Sequence, residues 1–279
     1  MHNIRLIALD LDGTLLDADK RLPEENRAAL ARAAAEGLVI VPATGRFYRG
    51  MPQNIRELPF VRYVISVNGA EVFDAARQET VFASEIPWQQ AVSVMETLDG
   101  LPVIYDCYQD GWGWMTQAFY DCADRYAANV HSLDMIRNLR TPVPELKACL
   151  RERARGVQKI QVFFRDMEKR AEMLKAFPAA FPDLVVTSSI VNNIEFNSPG
   201  ATKGAALKKL ADHLKIPVSE TMAFGDDHND VTMLAAAGIG VAMSNAEETV
   251  KRAADFVTDA CGDCGVAHAM KHFLWENEP

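Results

Sequence analysis

Asp10-Leu11-Asp12-Gly13-Thr14 follows directly on residues 4–9, a short apolar run. A short apolar run of that length, closed by turn residues, reads as a buried strand. The two carboxylates then emerge at the strand's carboxyl end, the edge where open α/β sheets form their ligand crevices. Residues two apart in an extended segment point the same way, so Asp10 and Asp12 can converge on one center. Acids brought that close repel, and they stay ionised only beside a cation or by sharing a proton. Asp-Gly and Thr are also ordinary turn and helix-cap residues, so the stretch alone equally fits a tight turn or an N-cap.

Working outward, the spacing predicts a helix from residue 23 or 24 to 36, with Pro23 in its first turn and Gly37 at its C-cap. Residues 38–41 form a second buried strand, which makes the start a βαβ unit, and residues 63–67 a third, ending in Asn68-Gly69. From 84 to 190 the pattern becomes mixed. Helix 87–98 precedes strands 103–108 and 112–115 about an Asp110-Gly111 turn, and helix, strand, helix, strand follow at 144–154, 157–164, 167–177 and 184–187. After it the doubly wound alternation returns. Strand 194–196, helix 203–214 and strand 222–224 lead into Gly225-Asp226-Asp227-His228-Asn229-Asp230, with a helix through 237. Strand 239–242, helix 246–253, strand 256–258 and helix 266–273 complete the chain. The expected fold is α/β: a doubly wound, Rossmann-like parallel-sheet core from 1–83 and 191–279, with an α+β domain inserted over 84–190.

The chain has 279 residues, 49% hydrophobic and 24% charged, which suits a soluble globular protein. A net charge of -9 without clustered Lys and Arg argues against a nucleic-acid binder, so an anionic ligand needs local positive charge or a metal. No apolar stretch approaches the roughly 20 residues that span a bilayer, and the start lacks a signal-peptide pattern, so no membrane partner and a cytoplasmic location are expected. Composition does not set the oligomeric state. The 5 cysteines fit a reduced compartment better than a disulfide framework. Cys261, Cys264, His268 and His272 have metal-ligand chemistry, but zinc sites of that type usually separate their two pairs by a longer loop. Buried thiols and helix-surface histidines are the alternative.

Four pieces fall at strand ends or helix starts: Asp10 with Asp12, Thr44-Gly45-Arg46, Lys203, and Asp226 with Asn229 and Asp230. The carboxylates are hard oxygen donors of the kind that hold Mg²⁺, while Thr44 and the Gly45 amide can cradle phosphate oxygens and Lys203 can neutralise their charge. Singly, each piece has an ordinary reading as loop chemistry, a solvated lysine or a helix cap.

In this order they resemble the haloacid dehalogenase superfamily of phosphohydrolases, and within it the Cof-type group, subfamily IIB. The segment Gly238-Ile239-Gly240-Val241-Ala242-Met243-Ser244-Asn245-Ala246 is also similar to the one that follows the last motif in that group, although Asp227-His228 and Ser244 depart from its usual residues. The resemblance implies that the insert is a cap domain and that Asp10 is the nucleophile. It implies that Asp12 is the proton shuttle, that Thr44, Lys203 and Asn229 hold the phosphoryl group, and that Arg46 and Asn68 lie near its entrance. Mg²⁺ would be held by Asp10, the backbone carbonyl of Asp12 and Asp226, with Asp230 in support.

The implied activity is hydrolysis of a small phosphorylated metabolite, a sugar phosphate or phosphorylated cofactor, through an aspartyl phosphate. A phosphomutase using the same intermediate and a phosphometabolite-binding regulator are the alternatives. In the cap, Trp112 and Trp114 share a strand face and Tyr108 lies across the turn, as a stacking platform for substrate or as packing against helices. Asn192 and Asn193 read as a hinge or turn, or as substrate contacts.

Overall fold

The computed structural model describes residues 3–276. The chain divides into two compact units, Met1–Ala83 with Gly200–Pro279, and Ser84–Pro199.

In the first unit, β1 (Leu6–Leu9) is wholly excluded from solvent, as a strand covered on both faces must be. Its side chains alternate between two cores. Ile7 and Leu9 pack with Leu30, Ala33 and Met270, whereas Leu6 and Ala8 pack with Val41, Leu207 and Leu210. Helix Glu24–Ala35 connects it to β2 (Val39–Pro42), and Gly37 sits at φ +93, where a side chain would be strained. β3 (Tyr63–Ser66) touches β2 through isolated parallel bridges, Ile40 with Val61 and Ala43 with Ile65. Its regular ladder is antiparallel, with β4 (Glu71–Asp74), which pairs in turn with β5 (Glu79–Ala83). The expectation of a third regular parallel strand therefore needs correcting. β4 is bounded by Glu71 and Asp74, and β5 opens on Glu79-Thr80 and is only partly covered, so they lack the continuous apolar run that marks the parallel strands.

The second unit is built on one mixed sheet. Its strands are β6 (Val103–Gln109), β7 (Trp112–Thr116), β8 (Arg140–Val143), β9 (Lys159–Phe164), β10 (Val185–Thr187) and β11 (Asn193–Asn197). They lie in the order β10-β11-β9-β6-β7-β8. Asp110 and Gly111 both adopt positive φ, 57° and 65°, as the tight turn between β6 and β7 demands. Helices Trp88–Leu98, Leu146–Arg153 and Met167–Ala180 supply Val94, Met95, Leu150 and Phe177 to the core over Tyr105, Cys107, Ile160, Val162 and Phe196. Helices Gln117–Asp121 and Val130–Leu139, on which no sequence signal was placed, belong to a segment that packs Ala123 and Ile136 against Ile104, Met115 and Phe163 on the opposite face.

Two sequence expectations change here. The sequence pattern places strand 194–196 in the core after a junction at 190/191, yet β11 pairs antiparallel with both β9 and β10, so this junction falls after Pro199. Trp114 pairs across the hairpin with Cys107 and packs into the helix-covered core, its indole beneath Arg153 at 3.7 Å. Tyr108 lies in a buried polar layer on the other face, accepting from Arg140 at 2.9 Å and from Gln161 at 2.7 Å. Trp114 and Tyr108 thus do not form one stacking platform; Trp112 is fixed through its indole N–H to Thr141 Oγ1 at 2.8 Å. Asn193 accepts from the backbone N–H groups of Ser189 and Ile190, which makes it a turn residue.

Returning to the first unit, β12 (Thr221–Gly225), β13 (Ile239–Met243) and β14 (Phe256–Thr258) complete a parallel sheet of order β14-β13-β12-β1-β2. β1 lies between β12 and β2, so crossovers leave it to either side and its carboxyl end is a topological switch point. Among the described residues no helix is long and apolar enough to cross a membrane, and all five cysteines are free.

Candidate active site

Because β1, β2 and β12 run parallel, the residues that follow them leave the sheet at one edge: Asp10 after β1, Thr44 after β2 and Asp226 after β12. Lys203 reaches the same edge as the first residue of helix Lys203–His213, whose N-cap Thr202 accepts from Ala205 N–H at 3.1 Å. A cation in a first helical turn opposes the helix dipole, so Lys203 needs acids around it. It has them. Its fully buried ammonium donates to Asp10 Oδ1 at 2.5 Å and to Asp230 Oδ1 at 2.6 Å. Burial alone would lower its pKa, but Asp10 and Asp230 hold it above the ordinary lysine value. The reading of a solvated lysine is thereby excluded.

Asp10, Asp226 and Asp230 bring carboxylate oxygens within 4.8 Å of one another, the one such cluster of acids, histidines or cysteines among the described residues. Three acids against one ammonium leave surplus negative charge. Burial, assisted by Asp230 and Asp226 and opposed by Lys203, pushes Asp10 up to about 8. Burial likewise pushes Asp226 up to about 6, against the Thr14 hydroxyl that donates to it at 2.7 Å. A set of hard oxygen donors with surplus negative charge fits a divalent cation such as Mg²⁺. Asp230 has little capacity left as a direct ligand. Its Oδ2 accepts the backbone N–H groups of Asp226 and Asp227, both at 3.0 Å, so it shapes the loop that presents Asp226.

Glycines let these loops close. A Cβ on Gly13, already at φ +95, would lie 2.3 Å from Asp226 Oδ2, and one on Gly225 would lie 2.3 Å from the Asp230 Cβ. Gly45 packs against Asn68, whose backbone N–H donates to the Thr44 carbonyl at 3.0 Å and whose Oδ1 accepts from the Asn229 side-chain amide at 3.0 Å. Thr44, Gly45, Asn68 and Asn229 therefore form one connected rim, with Asn68 in the left-handed region at φ 56.

Arg46 is engaged elsewhere than expected. Its guanidinium donates to both oxygens of Asp12 at 3.1 Å, a bidentate pair, and Lys20 adds a contact of 2.9 Å. Burial opposes ionisation of Asp12, but Lys20 and Arg46 together hold its carboxyl below the ordinary value.

Cys261, Cys264, His268 and His272 do not converge. His268 pairs with Asp259 at 2.8 Å, His272 pairs with Glu276 and stacks on Phe256, and Cys261 packs against the hydrophobic core. The zinc reading is set aside. Sequence reasoning missed roles for Thr14, Lys20 and Asn245. The Asn245 side chain donates to the Gly13 carbonyl and accepts from Cys261 N–H, tying the first motif to the loop at Cys261. Thr14 and Asn245 lay inside stretches already singled out; Lys20 carried no signal.

This architecture is matched over residues 7–270 by the family of haloacid dehalogenase-like hydrolases. The chain belongs to that family. It is 33% identical to phosphatase YwpJ of Bacillus subtilis, across 97% of this chain and all of that protein. It is 31% identical to the HMP-PP phosphatase of Cronobacter sakazakii, across 97% of this chain and 96% of the relative. Among solved structures, the HAD subclass IIB sugar phosphatase BT4131 superposes with a TM-score of 0.77 at 27% identity, covering 96% of this chain and 98% of that one. The chain is thus a Cof-type HAD phosphohydrolase, and its reaction class is phosphoric monoester hydrolysis.

Proposed function

We propose that this HAD hydrolase releases phosphate from small phosphorylated metabolites by way of an aspartyl phosphate on Asp10. The observation that carries the reading is the buried contact of Lys203 with Asp10 and Asp230 beside Asp226. A lysine placed there neutralises an incoming phosphate, and a carboxylate at the switch point can attack it. Thr44, the Gly45 amide and Asn229 are assigned to the phosphoryl oxygens, with Asn68 holding the rim. Asp10, the Asp12 backbone carbonyl and Asp226 would hold Mg²⁺, with Asp230 as support. Bound there, the ion supplies positive charge that lets an anionic nucleophile approach an anionic phosphate.

Asp12 gives a proton to the leaving oxygen as its bond to phosphorus breaks and takes one from the water that hydrolyses the aspartyl phosphate. Relatives named for HMP-PP and for 5-amino-6-(5-phospho-D-ribitylamino)uracil, and a structural neighbour named as a sugar phosphatase, support sugar phosphates or phosphorylated cofactor precursors as the substrate class. The test is phosphate release across a panel of such compounds, with and without Mg²⁺. Wild type should release phosphate in Mg²⁺, and Asp10→Asn should reduce release to background. Unchanged release by Asp10→Asn would refute the reading, and isomer formation without release would replace it with a mutase.

A further inference from the structure

Lys20 occupies an exposed loop between β1 and helix Glu24–Ala35, and its own backbone is unusual. It adopts φ +62, a left-handed conformation that a lysine has no intrinsic reason to take. The loop around it is tied tightly. Asp17 N–H donates to the Arg21 carbonyl at 2.9 Å, Lys20 N–H to the Asp17 carbonyl at 3.0 Å, and Arg21 N–H to Asp17 Oδ1 at 2.8 Å. The closed turn carries the Lys20 ammonium to Asp12 Oδ1, at 2.9 Å. The distribution of donors over the Asp12 carboxylate is unequal. Oδ1 accepts from both Arg46 Nη2 and Lys20 Nζ, whereas Oδ2 accepts only from Arg46 Nε. A carboxylate oxygen has two lone-pair sites, so Lys20 fills Oδ1 and leaves Oδ2 with the open one.

We propose that Lys20 is a positioning residue for Asp12, which by occupying Oδ1 makes Oδ2 the oxygen that exchanges the proton with the leaving group. The inference rests on the aspartyl-phosphate reading above. In the first step an Asp10 oxygen bonds to phosphorus while the ester P–O bond breaks, and the proton on Asp12 Oδ2 passes to the departing oxygen, giving an alcohol. In the second step water attacks phosphorus, Asp10 leaves as carboxylate with inorganic phosphate, and the water proton returns to Asp12 Oδ2 for the next turnover. Arg46 alone would leave one open site on each oxygen, and the shuttle would lose its single orientation. Lys20 acts on no atom of the substrate.

A group that works through the proton shuttle matters most where the leaving oxygen needs a proton. An alkyl alcohol leaving from a sugar phosphate needs one; p-nitrophenolate does not. The second step is common to every ester, so the experiment compares kcat/KM, which reads only the steps through departure of the leaving group, on a sugar phosphate and on p-nitrophenyl phosphate in saturating Mg²⁺. Lys20→Gly keeps the left-handed turn at no steric cost while removing the ammonium, so the fold is not at stake. The ratio of the two kcat/KM values should fall about tenfold in Lys20→Gly, a part of the 10²–10⁴-fold that general acid catalysis typically supplies. Lys20→Arg should restore most of the ratio. In an Asp12→Asn background, Lys20→Gly should produce no further change, because the group it positions is gone.

An equal loss on both esters, or the same drop with and without Asp12, would overturn the assignment. If wild type released phosphate from neither ester, the functional reading itself would fall, and the inference with it. Activity lost in Asp10→Asn but indifferent to Lys20 would leave the function standing and refute only this proposal.

Discussion

Asp230 is the residue whose removal should cost the core most per atom changed. Its side chain is fully buried, its Oδ2 accepts the Asp226 and Asp227 N–H groups at 3.0 Å each, and its Oδ1 accepts from Lys203 at 2.6 Å. Asp230→Ala removes all of these acceptors from a place with no room for bulk water. Taking about 1 kcal/mol for each bond from a backbone N–H and roughly 2 kcal/mol for the bond from the ammonium, the loss is about 4 kcal/mol. Asp230→Asn differs in a way that tests the division of labour. Its amide oxygen can keep the two backbone N–H groups while its NH₂ faces the ammonium, so the charged bond alone is lost. Relief of repulsion among the acids that share Lys203 offsets part of that loss, which places Asn at about 1 kcal/mol. Urea unfolding in EDTA measures both totals. Amide exchange at Asp226 and Asp227 then assigns them, with protection lost in Ala and retained in Asn. A cost below about 1 kcal/mol for Ala, or equal costs and equal exchange in the two variants, would refute the reasoning.

Further outcomes follow from other contacts. Gly69→Ala places a Cβ 2.2 Å from the Thr202 carbonyl oxygen at a backbone φ of +96, and should destabilise the protein by about 3 kcal/mol in urea unfolding. Asp74 is held below its ordinary value of 3.8 by the Arg62 guanidinium against the opposing effect of burial, with help from the Arg77 and Ala76 N–H groups. Its contribution is therefore fully present above pH 3.8 and is lost as the pH falls through the lower folded value. The stability gap between wild type and Asp74→Asn should accordingly be constant from pH 7 to 5 and close in acid titrations below about pH 4. Mg²⁺ should raise Tm with a dependence that Asp226→Asn abolishes and EDTA reverses, reaching about 2.7 kcal/mol at a hundredfold excess over Kd. Protein dialysed against buffer should carry no stoichiometric zinc by elemental analysis, and Cys261→Ser should not change that content.

The sequence exposed those parts of the fold whose physics is local. Residues 6–9 and 222–224 are apolar without interruption because strands at the middle of a parallel sheet are covered twice, and that signature needs no partner to be read. β4, β5 and β11 carry no such mark. Ile194-Glu195-Phe196 has the same short apolar content whichever sheet receives it, and only its pairing with β9, some thirty residues earlier, assigns it to the second unit. Trp114 and Tyr108 show the same limit. Alternation puts Trp112 and Trp114 on one face, but which face the helices cover is decided by Cys107 and Ile160 opposite them.

The site divides along a similar line. Asp10, Asp12, Asp226 and Asp230 were visible as acids at strand ends, whereas their inequality was not. Asp230 spends its oxygens on backbone amides and on Lys203, Asp226 takes a hydroxyl, and Asp12 faces two cations. These differences arise from loop closures at Gly13 and Gly225, which bring residues more than 200 positions apart into contact. Lys203 makes the point most sharply. By residue type it belongs in water, and by its place in the first turn of a helix it is electrostatically misplaced. Both objections vanish only when β1 and β12 lie side by side, for only then do Asp10 and Asp230 flank the ammonium. A buried lysine of this kind cannot be stable before the two halves of the core have joined. The split in the sequence therefore couples assembly of the phosphate-handling charge to completion of the fold.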